Sequence, residues 1–220
     1  MIITRYGICL ERITAAHIEM VRLWRNDPKI QQHMFFKNDI TPKMQEEWFD
    51  SVNNDQNFYF LIHYLEKPVG LINISSVDWE NNSAFAGLFI YDSNYWGTDV
   101  PVRASLCVLD IFFAFTTIQN IFAKVRDSNI AAFHYNTALG FERSKKIEYG
   151  LGFEYVLTRE HFFSTTEKLR TATARLFGST SIFKFGNSGY DSTFKIQLQE
   201  KIKSIPTSQL PKGFEDIIVS

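Results

Sequence analysis

Cysteine is scarce in this chain. Cys9 and Cys107 are the two present in 220 residues, and no CxxC or Cys/His pairing at metal-ligand spacing exists. That excludes a disulfide scaffold and a zinc module, and no metal is expected. Both cysteines sit in apolar runs and are expected as buried free thiols. Charge of one sign is lacking as well: 23 Lys and Arg stand against 24 Asp and Glu, with no basic tract. A surface that tracks nucleic-acid phosphates is therefore not expected, whereas a small anion needs only a local site. Long apolar runs are missing too. The longest, 104–115, is interrupted by Ser105 and Asp110 and falls short of a membrane span. Residues 1–6 lack the charged-then-apolar pattern of a secretory leader. The expectation is a cytoplasmic protein that contacts neither nucleic acid nor membrane. No internal repeat is visible.

What the chain does have is an ordinary globular composition, 45% apolar, with 21 Phe residues for a core. Residues 2–11 read as a strand. Thr14 caps a helix through about Arg25, which Asn26-Asp27-Pro28 ends. Thr41-Pro42 starts a second helix with Met44, Trp48 and Val52 on one stripe. Three strands follow, over 58–64, 69–75 and 84–91. The last is nearly all apolar, as a strand covered on both faces would be. Pro101 opens a helix to about Phe115 whose apolar residues occupy most of its circumference, so it should be the buried central helix. Then come a strand at 121–125, a helix from Asn129 to Ala138 closed by Gly140, and strands at 141–147 and 155–158 joined around Gly150-Leu151-Gly152. The order β-α-α-β-β-β-α-β-α-β-β is an α+β layout with a mixed, mainly antiparallel sheet flanked by helices. Beyond residue 162 the composition changes. One helix is expected over 167–177 with Leu169, Ala172 and Leu176 on its face, and an apolar element around Phe194, Ile196, Leu198 and Ile202. Ile205-Pro206 and Leu210-Pro211 punctuate the end. The chain thus divides into a domain at 1–162 and a C-terminal extension at 163–220, which packs on the domain or on a second subunit as a homodimer.

Several residues carry a resemblance. Trp24-Arg25-Asn26, Ile30, Met34, Ile40 and Trp48-Phe49 are followed by Pro68-Val69-Gly70-Leu71-Ile72-Asn73. Asn129-Ile130-Ala131-Ala132, ending in Leu139-Gly140-Phe141, completes the series. In this order they resemble the GNAT acyl-CoA N-acyltransferases over about residues 2–160. The nearest subgroup acetylates UDP-linked 4-amino sugars and is close to the ribosomal-protein alanine acetyltransferases. The resemblance implies a GNAT fold, acetyl-CoA as cosubstrate and a small-molecule amine as acceptor. It leaves two other readings open: a protein N-terminus as acceptor, and a GNAT-shaped interaction module with impaired catalysis.

The chemistry of such transfer requires a held pyrophosphate, a polarised thioester, a neutral amine and a proton for the departing thiolate. The resemblance places thioester polarisation on the backbone of Leu88, Phe89 and Ile90. It places the pyrophosphate at Trp96, Gly97, Thr98, Asp99, Val100 and Val102, with Arg103 one turn further. Asn129 lies beside the pantetheine arm, and Arg25, Met34 and Gln45 lie on the acceptor side. The match is imperfect. Asp99 and Pro101 occupy positions where the family has small residues. Pro101 donates no N–H, and a carboxylate near a diphosphate costs about 1 kcal/mol or more, although Asp99 suits a helix N-cap. Arg103 either offsets that charge or is a solvated surface residue. Gln45 and Lys124 stand where relatives carry His and Glu. Asn136 stands at the position of the general-acid Tyr, with Tyr135 beside it, and one residue rotates a helical side chain by about 100°. Tyr135 and Asn136 are the two candidates for proton handling.

Overall fold

The computed structural model describes residues 1–147, 151–186, 192–204, 214 and 217–219. Residues 2–11 form two strands rather than one, β1 (Ile2–Arg5) and β2 (Ile8–Arg12). Tyr6 and Gly7 between them both take positive φ, 56° and 67°, which is the backbone of a tight two-residue hairpin turn. Helices α1 (Ile18–Asn26), α2 (Pro28–Gln31, one turn) and α3 (Pro42–Val52) follow. Thr41 caps α3 by accepting from the Met44 N–H, with Pro42 at the first position. Strands β3 (Phe58–Tyr64), β4 (Lys67–Asp78) and β5 (Ser83–Ile90) lead into α4 (Val100–Phe115). Next come β6 (Asn120–Arg126), α5 (Ile130–Ala138), β7 (Glu142–Lys146) and β8 (Gly152–Thr158). The tail adds α6 (Arg159–Thr165), α7 (Glu167–Phe177), β9 (Ser181–Lys184), α8 (Ser192–Ser204) and β10 (Ile217–Val219). Gly150 and the two X-Pro pairs at 205–206 and 210–211 lie outside the described residues. Among the described residues no helix is long and apolar enough to cross a membrane.

The ten strands among the described residues form one sheet in the order β10-β9-β1-β2-β3-β4-β5-β6-β8-β7. Its pairings are antiparallel except β9–β10 and β5–β6. Helix α4 is buried from Arg103 to Phe115, so its apolar circumference does reflect a central position. Cys107 on it is fully enclosed, while Cys9 on β2 is half-buried.

The extension is not an appendage. Strand β9 pairs with β1, Ile2 opposite Lys184. Phe194 of α8 lies 5.6 Å from the Phe58 ring and 5.1 Å from that of Phe112, and Phe214 lies 5.0 Å from Phe115. Phe183, Phe194, Leu198 and Phe214 are fully buried in the core that α4 organises. Phe194 and Leu198, offered in sequence for packing on the domain or on a second subunit, are thus inside this chain's own core.

Helix α7 has the expected span and the opposite facing. It buries Arg170 and Thr173, whereas Leu169 and Leu176 are exposed, the latter by 76%. The reason is Asp110, a fully buried carboxylate on α4. It is held by Arg5 at 3.2 Å, by Arg170 at 3.4 Å and by the Tyr6 hydroxyl at 2.5 Å. Arg5 also donates to the Ser179 carbonyl and to Ser181 Oγ at 2.6 Å. Leaving a buried carboxylate short of counter-charge costs several kcal/mol, on the order of 3–5, more than roughly 1.5–3 kcal/mol forgone by exposing a leucine. The ion network therefore orients α7.

Candidate functional site

Strand β5 is hydrogen-bonded to β4 along its length, from Ser83 opposite Asp78 to Ile90 opposite Gly70, and β6 to β8 from Asn120 to Arg126. Between themselves β5 and β6 pair only over Ser83–Phe85 with 120–122. Each strand then follows its other neighbour, and the two splay apart. Residues 86–90 of β5 and 123–126 of β6 thus face each other across a wedge, with backbone groups on the facing edges that lack a strand partner among the described residues. Such groups are expected to seek hydrogen bonds from elsewhere. The wedge opens into a cleft of about 860 Å³, a size that suits a cosubstrate and a small acceptor. Its walls include Leu88, Phe89 and Ile90 of β5, Pro101 and Ser105 of α4, and Ala131, Tyr135 and Asn136 of α5. Strand β5 is apolar for that reason: it is half-buried, with a face forming the cleft wall, and is not covered on both sides as its sequence suggests.

At the opening of α4, Trp96, Gly97 and Thr98 line the cleft, and Trp96 Nε1 donates to the Ile90 carbonyl at 2.9 Å, tying the loop to the end of β5. Asp99, Val100, Val102 and Arg103 do not line it. Asp99 precedes α4 in helical conformation (φ −78°, ψ −10°) and makes no side-chain cap bond. The Thr98 hydroxyl accepts from the Val100 N–H instead, at 3.3 Å. Asp99 is turned to Arg103, Oδ2 to Nε at 3.2 Å. Arg103 is 2% exposed. It donates to the Tyr6 carbonyl at 3.1 Å and stacks on Phe177 and Tyr64 at 4.0 and 4.8 Å. It is neither a surface residue nor aimed at a diphosphate. Its burial on the far side of α4 supplies Asp99 with a counter-ion, so the carboxylate that looked repulsive in sequence is compensated outside the cleft lining.

Asn129 caps α5, its Oδ1 accepting from the Ala132 N–H at 3.1 Å, and lines the cleft. Tyr135 and Asn136 line it also, with different bonding. The Tyr135 hydroxyl donates to the Pro101 carbonyl at 2.9 Å and shares a 2.5 Å bond with Ser105 Oγ. Asn136 donates to the Ala132 carbonyl at 2.7 Å, within its own helix. Burial pushes the Tyr135 phenol well above its ordinary value, against the lowering effect of Ser105. Burial does the same to Tyr6, reinforced by Asp110. A phenol whose folded pKa is raised keeps its stabilising effect below its unfolded pKa of about 10 and loses it as pH rises beyond. Burial raises Tyr59 and the enclosed Cys107 thiol likewise, so stability should fall as pH rises past about 9 to 10, by about 1.4 kcal/mol per pH unit for each group. Urea unfolding at pH 9, 10 and 11 measures this, and a flat profile would contradict the assigned burial.

On the acceptor side Arg25, Met34 and Gln45 line the cleft. Their neighbours include features that sequence reading missed. Trp48 meets Tyr59 edge-on at 5.0 Å, and Trp24 stacks on Tyr91 at 5.0 Å behind the lining. Arg126 at the end of β6 donates to the Met34 carbonyl at 3.2 Å, bridging the mouth. Lys29 rests 4.0 Å above the Tyr91 ring and 3.6 Å from Asp27. The alternation of β3 is a signal that could have pointed to Tyr59, but nothing in sequence brings Arg126 to Met34. Lys124 is exposed at the rim. Among the described residues the lining includes Arg25, Lys29, Lys124 and Arg126 and no Asp or Glu.

The acetyltransferase (GNAT) domain model matches residues 8–142. An uncharacterised protein of Methanocaldococcus jannaschii is 24% identical over 144 residues, 63% of this chain and 29% of that protein. The chain thus spans less than a third of that relative's length. Among solved structures, spermidine N-acetyltransferase from Vibrio cholerae, in complex with CoA and spermine, superposes with a TM-score of 0.65. Its identity is 15%, covering 72% of this chain and 99% of that one. Aminoglycoside acetyltransferase AAC(6')-Ib, in complex with coenzyme A and kanamycin, gives 0.61 at 16% identity, covering 74% and 99%. At these identities the structural likenesses establish the fold.

Proposed function

Because the chain belongs to the GNAT acetyltransferase family, we propose that its cleft transfers an acetyl group from acetyl-CoA to the amine of a nucleotide-linked amino sugar. The observation that carries this reading is the β5–β6 wedge, whose unpaired backbone edge opens onto the start of α4. Acetyl-CoA supplies an activated thioester carbonyl there. The backbone of Leu88, Phe89 and Ile90 polarises that carbonyl by hydrogen bonding. Trp96, Gly97 and Thr98 hold the phosphates at the helix start, while Asn129 fixes α5 alongside. Arg25, Met34 and Gln45 orient the acceptor. The amine nitrogen forms the new bond to the carbonyl carbon, the carbon–sulfur bond breaks, and the amine proton leaves to water. Tyr135, kept protonated by burial, gives a proton to the thiolate and is reprotonated through the Ser105 hydroxyl, which in turn takes back from water the proton that the amine released. Asn136 holds the helix turn that presents Tyr135.

The acceptor class is supported by charge. Spermine or kanamycin would bring several ammonium groups beside Arg25, with no carboxylate among the lining residues to receive them, and like charges at short range repel even when partly solvated. A diphosphate-linked sugar suits these walls. Calorimetry with acetyl-CoA should give a micromolar Kd. Thioester consumption should be fastest with UDP-4-amino sugars, slower with spermine, kanamycin and alanine-initiated peptides. Absence of heat with any acyl-CoA up to millimolar concentration would refute the reading.

A further inference from the structure

We infer that Arg25 and Gln45 form an anion subsite in the acceptor half of the cleft, selecting amines that carry a phosphate or carboxylate of their own. The inference rests on the acetyltransferase reading and adds where the acceptor's charge is gripped. Helix α3 packs on α1, which brings Gln45 and Arg25 to the same wall. Gln45 is 3% exposed, and its Nε2 has no hydrogen-bond partner. Arg25 Nε is equally shielded and unpartnered. Arg5, Arg103 and Arg170 are each paired with an aspartate, while Arg25 has no hydrogen bond or ion pair among the described residues.

Folded proteins leave few buried donors unsatisfied, because each costs about 1–3 kcal/mol. Orphan donors that line a cleft are explained by a ligand that completes them. A hydroxyl would serve one donor, but two donors and a full unpaired charge call for acceptor-only oxygens with negative charge. Burial pulls the Arg25 guanidinium below its ordinary pKa, with only Tyr59 opposing, the direction expected of a cation that lacks its anion. Lys29 already has Asp27 and is not needed.

The test uses protein saturated with CoA, so that probes do not enter the wedge. Glucosamine, glucosamine 6-phosphate, muramic acid and UDP are titrated by calorimetry. The phosphate, the carboxylate and the nucleotide diphosphate are thereby separated as sources of the anion. At least one anionic probe should bind tenfold or more tighter than glucosamine. Arg25→Met should abolish that difference, with CoA affinity unchanged. Gln45→Leu should weaken the same probe and raise the melting temperature, because it removes an orphan donor. Equal binding of glucosamine and every anion, no binding of any probe, or a preference that survives Arg25→Met overturns the subsite. Loss of CoA binding by the wild-type protein would count against the acetyltransferase reading instead.

Discussion

Arg170→Met is expected to lower stability by about 3 kcal/mol in urea unfolding, a large effect for a residue on a helix in the C-terminal extension. Asp110 has no exposure to water and relies on three partners from two separate segments: Arg5 and Tyr6 from the first hairpin and Arg170 from α7. Removing Arg170 leaves the carboxylate buried with Arg5 as its remaining charge partner. Adding Asp110→Asn to Arg170→Met should recover part of the loss, because the uncompensated charge disappears. Leu176→Ala, on the same helix but 76% exposed, should change stability by no more than about 0.5 kcal/mol. A loss below that value for Arg170→Met would mean that Asp110 is satisfied without α7. The same argument predicts that a chain ended at residue 162 does not fold as a free-standing domain. It would lack Arg170, strand β9 beside β1 and the Phe194 cover over Phe58 and Phe112.

Ala131→Trp should weaken acetyl-CoA binding at least tenfold, about 1.4 kcal/mol, and slow thioester consumption in parallel, with little change in melting temperature. Ala131 is exposed on α5 yet lines the cleft, so an indole there fills ligand space without crowding the core. Calorimetry and thermal unfolding of the one variant separate the two effects. Retained affinity would place the cosubstrate outside the wedge.

Several local features were legible in the sequence because their causes are local. Thr41-Pro42 and Asn129 start helices through bonds to N–H groups two or three residues on. The apolar circumference of 100–115 marks a helix enclosed on all sides. Candidate residues named from sequence, including Arg25, Met34, Gln45, Trp96, Asn129, Tyr135 and Asn136, are brought to one cleft, although sequence order gives no account of their bonding there. Asp99 and α7 were misjudged for one shared reason. Each was read by what it offers its own helix, a cap in one case and an apolar face in the other. Asp99 instead pairs with Arg103 one turn on in the same helix, held under Phe177, and α7 turns to Asp110 in α4.

The sequence by itself determined the order of the main helices and strands over residues 18–158, the central helix and the family that this order identifies. These depend on periodicity, caps and turn residues, which act over a few positions. Tertiary structure alone decided the wedge, the burial of Arg103 against the first hairpin and Phe177, and the joining of the extension to the core. Strands β5 and β6 diverge because β4 and β8 hold them on opposite sides, and the buried ion network forms because residues 5, 110 and 170 meet in space. Contacts of that separation leave no periodic trace in the chain, so their energetics emerge only once the sheet has brought the partners together.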